Sequence, residues 1–218
     1  MGLFDRMSGA LPPPPGRPNR SYAVPERNEV LGTPLDIPRN PSDDVETITL
    51  GMGCFWGSEE IMWQIPGVIT TSVGYQGGVT ENPTYEDVCT GRTGHAEMVK
   101  VTYSGGDQTL KRILSAFWEN HDPTQKNRQG NDVGSQYRSA IFADDSHVLD
   151  VARRSAAAFQ EVLSSDGIGE ITTEIAPADA LPYYLAEGYH QQYLHKVPHG
   201  YRCHSSTGLK LPEFGLTA

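Results

Sequence analysis

The sequence predicts an α/β or α+β fold, one sheet with helices packed on it, built from repeated βαβ elements. Three observations predict it. From Val45 onward, short runs rich in β-branched residues alternate with runs of helical period. Turns such as Pro66-Gly67 and Ser104-Gly105-Gly106-Asp107 separate them. The length, 218 residues, suits one domain with appendages and a sizeable core.

In chain order, residues 1–43 are Pro-rich and polar without a sustained period, and read as an extended arm lying along the domain. The Pro12–Pro15 run reads as a passive spacer rather than a ligand for a proline-recognising module. The folded domain spans 44–198. A strand over 45–51, a helix over 55–64 and a strand over 68–75 form a βαβ unit. A Gly- and Thr-rich loop (76–92) leads to a strand over 97–103. Leu110, Ile113, Leu114 and Phe117 mark one apolar helix face. A polar loop (121–136) precedes a strand over 137–143, a long helix over 146–164 and a strand over 170–175. Residues 183–194 are aromatic and partly helical. Residues 199–218 read as a mobile tail.

Charge and composition exclude several functions. Lys and Arg number 17 against 27 Asp and Glu, a net charge of −10. Without a basic run, this argues against a nucleic-acid partner. No apolar stretch reaches membrane-spanning length, and the N-terminus has no signal-peptide core. Met1-Gly2 begins like a myristoylation site, but Arg6 stands where Ser or Thr is required. The expected location is the cytoplasm and the expected state a monomer. Three cysteines are too few, and odd in number, for a disulfide scaffold. In a reducing compartment they are free, metal-bound or catalytic.

Gly53-Cys54-Phe55-Trp56-Gly57 places one cysteine at a strand-to-helix turn. Free N–H groups at a helix start favour an anion, so a thiol there converts readily to thiolate. The alternative is a small buried hydrophobe. Glu97 shares a strand face with Val99, Val101 and Tyr103, the more apolar one. Ionisation there is costly, so its pKa should rise and let it donate a proton near neutrality. The alternative is a strand end turned to solvent. Tyr85 and Tyr137 are hydroxyl donors or ordinarily packed rings. Asp132 is a turn residue or a support of the site. Cys203 suits a resolving thiol carried by the tail, whereas Cys89 reads as structural in loop-to-strand sequence. A metal site drawn from His190, His195, His199, Cys203 and His204 lacks any Cys-x-x-Cys or His-Glu-x-x-His pattern. A Cys–His hydrolase would pair Cys54 with His95 or His121, again without a local signature.

Gly53-Cys54-Phe55-Trp56-Gly57 resembles the signature of the A-type peptide methionine sulfoxide reductases. So do Tyr75-Gln76-Gly77-Gly78, Asn82-Pro83-Thr84-Tyr85, Gly94-His95-Ala96-Glu97, the run from Gly130 through Tyr137 to Ser139, and Tyr189-His190-Gln191-Gln192-Tyr193-Leu194. The resemblance implies a ferredoxin-like two-layer sandwich with extended N- and C-terminal segments. It implies reduction of methionine S-sulfoxide, free or in oxidised proteins, with thioredoxin as reductant; no cofactor or metal is expected. Cys54 would be the nucleophile, Glu97 the proton donor, and Tyr85 and Tyr137 donors to the sulfoxide oxygen. Asp132 would support that network, Phe55 and Trp56 would wall the substrate methyl, and Cys203 would be the resolving cysteine. Many members carry a further relay cysteine, but none follows Cys203 here. A direct Cys54–Cys203 disulfide is therefore expected.

Overall fold

Alternation along the strands builds the core. Ile48, Leu50 and Met52 on one strand, Val73 and Tyr75 on a second, and Val99, Val101 and Tyr103 on a third project to one side and are all buried. Three amphipathic helices cover that side. The structure, a computed structural model, describes residues 11–37, 44–203 and 205–215. The Met1-Gly2 start, the rest of the arm (1–10 and 38–43), His204 and residues 216–218 lie outside the described residues.

The elements are β1 (Glu46–Met52), α1 (Phe55–Met62), β2 (Val68–Gln76), α2 (Tyr85–Cys89), β3 (Ala96–Tyr103) and α3 (Gly106–Glu119). There follow β4 (Arg128–Gln129), β5 (Asp132–Val133), a 3-10 turn (Ser135–Tyr137), β6 (Ser139–Ala143) and α4 (Ser146–Ser165). β7 (Glu174–Pro177), β8 (Tyr184–Leu185) and α5 (Tyr193–Lys196) complete the order. The main sheet runs β7-β6-β1-β3-β2-β8, with β4 and β5 a separate hairpin. β3 is antiparallel to both β1 and β2, so β1 and β2 are parallel but separated. The βαβ unit is thus split, with β3 inserted between its strands. β6 is antiparallel to β1, and β7 joins β6 in parallel. The opposite sheet face carries a smaller cluster of Ala96, Met98, Ala140 and Phe142, covered by Ala176, Ala178, Leu181 and Tyr183.

Several boundaries differ from the sequence reading. Tyr137 closes a 3-10 turn, and the strand starts at Ser139. The expected strand 170–175 begins only at Glu174, because Thr172 turns its N–H and hydroxyl to Pro123 O. Cys89 ends the short helix α2 rather than leading into a strand. The described residues after Pro198, expected to be loose, lie on the domain: Leu209, Leu211 and Phe214 pack against the main core, and Glu119 receives Lys210 Nζ and Leu211 N–H. The described part of the arm is extended and pinned, with Asn28 and Leu35 buried.

Candidate active site

β1 ends at Met52, and Gly53 turns the chain into α1 with φ +91°. A Cβ there would meet the Gln129 side chain at 2.6 Å, so both conformation and space require glycine. Cys54 is the N-cap of α1, buried at 8% exposure. It stands between two cavities.

The smaller cavity, about 170 Å³, is lined by Cys54, Phe55, Trp56, Tyr85, Glu97, Asp132, Tyr137 and Tyr201. Every expected site residue except Cys203 meets there. The other cavity, about 290 Å³, brings Cys54 and Cys203 to one space beside Glu60 and Arg202.

Glu97 is 2% exposed and faces the helix layer from β3, in register with Tyr75. Its Oε2 accepts the Phe55 N–H at 3.0 Å. Burial pushes its carboxyl up to about 8, against the opposing pull of that N–H, and the Asp132 charge adds to the rise. Glu97 therefore keeps its proton at neutral pH. Cys54 departs from expectation. Burial raises the thiol, and the charge Glu97 acquires once it ionises above about 8 raises it further; the Trp56 backbone N–H at the helix start favours thiolate but is outweighed. Burial raises the Tyr85 and Tyr137 hydroxyls as well, which keeps both as donors.

Supporting contacts fix the walls. The Trp56 indole N–H donates to His190 Nδ1 at 3.0 Å, and its ring stacks on Tyr193 with centroids 4.0 Å apart. That bond assigns the His190 proton to Nε2. Burial pulls His190 down to about 4, so it stays a neutral acceptor. Glu187 accepts the Tyr85 N–H at 2.8 Å and the Tyr75 hydroxyl at 2.9 Å, anchoring α2 at its first residue. Tyr201 donates to both oxygens of Asp132, at 3.2 and 3.1 Å. Cys203 Sγ lies 3.3 Å from Gln129 O.

The Cys–His hydrolase finds no support in this geometry. His95 accepts from Gly78 N–H at Nδ1 and meets Thr80 O at Nε2. His121 is held between Phe117 O and Ser139 Oγ. Neither lines a cavity with Cys54. Among the described residues no group of three or more His, Cys, Asp or Glu is placed to hold a metal ion.

The profile of the family described as "Peptide methionine sulfoxide reductase" matches residues 46–215. The chain belongs to this family. Relatives named peptide methionine sulfoxide reductase MsrA from Salinispora tropica and Rhodospirillum centenum are 55% and 50% identical to it, over 200 and 215 residues. Those matches cover 91% and 97% of this chain and 89% and 96% of the relatives. Methionine sulfoxide reductase A of Corynebacterium diphtheriae has the same mixed α/β fold, with a TM-score of 0.78 at 46% identity, covering 91% of this chain and 95% of that one. The reaction of this reductase is thiol-dependent reduction of methionine S-sulfoxide to methionine.

Sequence reasoning missed Tyr201, Gln129 and Glu187 of the reductase, and it placed His190 in a motif and among possible metal ligands without its role as acceptor for Trp56. Tyr201 stands two residues before Cys203, a proximity that signals a shared segment. Nothing local signals that its hydroxyl would reach Asp132, 69 residues away. His190 and Glu187 lie in or beside an aromatic run whose partners are distant in the chain.

Proposed function

We propose that Cys54 is the nucleophile, Glu97 the acid, and Tyr85 and Tyr137 the hydroxyl donors to the sulfoxide oxygen. Phe55 and Trp56 form the apolar wall for the methyl group, and Asp132 supports the polar side. A sulfoxide sulfur is a poor electrophile until its oxygen gains a proton. Neutral Glu97 supplies that proton as the Cys54 sulfur attacks, and regains one from the Cys54 thiol. A Cys54 S–O bond forms as the substrate S–O bond breaks; the substrate sulfur is reduced and leaves as methionine, and Cys54 is oxidised to a sulfenic acid. Because Cys54 starts as a thiol, Glu97 both gives and takes a proton within one step. Cys203 then displaces water to form the Cys54–Cys203 disulfide, and an external dithiol, thioredoxin by our reading, reopens it by exchange.

One observation carries this reading: a carboxyl held protonated opens onto the same small cavity as the buried thiol, two phenols and two aromatic walls. Free or protein-bound methionine sulfoxide, with its short unbranched side chain, suits that cavity. The strand order β6-β1-β3-β2, with two split βαβ units, supports description as a ferredoxin-like sandwich. We further read 1–43 as an arm, 44–198 as the catalytic unit and 199–218 as the resolving segment, in a cytoplasmic monomer. No helix among the described residues is long and apolar enough to cross a membrane. The test is a thiol count before and after exposure to each sulfoxide epimer. Loss of two thiols per methionine formed, with the S-epimer alone, is the expected result; an unchanged count would refute the reading.

A further inference from the structure

Arg202, beside Cys203, makes a two-pronged ion pair with Glu60 of α1. Its Nε lies 2.6 Å from Oε2 and its Nη2 2.7 Å from Oε1. The same guanidinium donates through Nη1 to Pro198 O at 2.9 Å and Gly200 O at 3.3 Å. One side chain therefore fixes the curl of its own loop and docks that loop on α1, the helix that Cys54 caps. Both side chains are about a quarter exposed, 28% and 26%. A pair so near solvent adds little to stability, but fork-to-carboxylate geometry fixes orientation strongly. Both residues line the cavity shared by Cys54 and Cys203, and neither lines the smaller cavity of Glu97 and the two phenols.

We propose that the Arg202–Glu60 pair is a positioning device for the second chemical step alone, setting Cys203 against oxidised Cys54. The proposal rests on the reading of Cys203 as the resolving thiol. In that step the Cys203 sulfur attacks the Cys54 sulfur and an S–S bond forms as the S–O bond breaks. The hydroxyl leaves with the Cys203 proton as water; Cys54 is reduced and Cys203 oxidised. The first step, in the smaller cavity, makes no use of the pair.

A rapid-quench single turnover without external reductant tests this, reading methionine release and the Cys54–Cys203 disulfide separately. Non-reducing peptide mapping measures the disulfide. Glu60→Gln and Arg202→Met should keep the rate of methionine release, which also reports an intact fold. Both should slow disulfide formation about 10- to 100-fold, the scale of a misplaced reacting group. A cyclic dione should trap the waiting sulfenic acid. Unchanged disulfide formation in both variants overturns the proposal, and so does an equal slowing of methionine release. Cys203→Ser separates the two levels of the argument. If it still forms a Cys54 disulfide at the normal rate, the resolving role of Cys203 itself is wrong. If it blocks the disulfide while the Glu60 and Arg202 variants behave normally, only the positioning role is lost.

Discussion

Glu97 and Cys54 sit in the same desolvated space, and burial acts on both in the same direction. It keeps the Glu97 proton in place, which the chemistry wants, and it keeps the Cys54 proton as well, which a nucleophile does not. The Trp56 N–H at the helix start is a correction of the right sign and insufficient size. On the proposed roles, thiolate forms during reaction, through Glu97, rather than beforehand. Glu97→Gln should slow single-turnover methionine release about 10²–10⁴-fold, the contribution of a general acid. The pH dependence follows from the shift. Glu97 titrates at about 8, above its ordinary 4.5, so the donor is present below that and is lost as pH rises through it. Wild-type single-turnover rate should fall above about pH 8, and the variant should lack that limb. The same shift bears on stability. A raised acid contributes stability that is present below its unfolded pKa and lost as pH rises through its folded one. Glu97→Gln should accordingly gain in melting temperature relative to wild type on going from acid to alkaline solution; a constant gap would show that Glu97 ionises normally. The residue types at Cys54 and Glu97 were legible in the sequence through strand parity and the strand-to-helix turn. The thiol's actual balance was not, because desolvation is set by distant chain.

At the scale of elements, α1 buries more than its apolar residues. Phe55 and Met62 enter the core, but Glu59 is also fully buried, which helical spacing alone does not reveal. Its carboxylate accepts Gln192 N–H at 2.9 Å, Gln192 Nε2 at 2.7 Å and Thr71 Oγ1 at 3.0 Å. Gln192 adopts the left-handed region, φ +46°, immediately before Tyr193, the ring that stacks on Trp56. Glu59 thus holds both ends of the Trp56 contact. Glu59→Ala strands the buried Gln192 N–H and Thr71 hydroxyl, each costing about 1–3 kcal/mol, and leaves Gln192 Nε2 only its longer bond to Thr71 O. Thermal unfolding should show a fall of about 2–4 °C per kcal/mol lost. KM for the sulfoxide should rise as Trp56 loosens; an unaltered KM in a destabilised variant would separate the network from the pocket. The long strands and helices were readable from their periods. The strand order was not, since β3 separates β1 from β2 by pairing that no local pattern encodes. Short pieces such as β4, β5 and the 3-10 turn are too brief to carry a period.

Across the whole molecule, the described parts of both terminal segments lie on the domain. Tyr22 donates to Pro83 O and Leu185 O, Arg17 pairs with Asp87, and Gly188 N–H donates to Ala23 O. These contacts tie the described arm to α2 and to the segment bearing His190. Asn28, 1% exposed, donates to Thr71 O at 3.0 Å and Oγ1 at 3.1 Å, and Thr71 in turn donates to Glu59. Asn28→Ala should therefore lower the melting temperature and raise KM although it lies outside the catalytic cavity. A variant that melts lower with KM unchanged would confine the arm to stability. The arm's extended course was legible in its prolines; its bonds were not, because each partner lies tens of residues away. The central claim is that Cys54 takes oxygen from substrate sulfur before Cys203 acts. It is tested most directly by mixing Cys203→Ser enzyme with methionine S-sulfoxide and quenching without reductant. One methionine per enzyme and a single oxygen atom added to Cys54 are expected; no methionine, or an oxygen carried on any other residue, would refute that order of events.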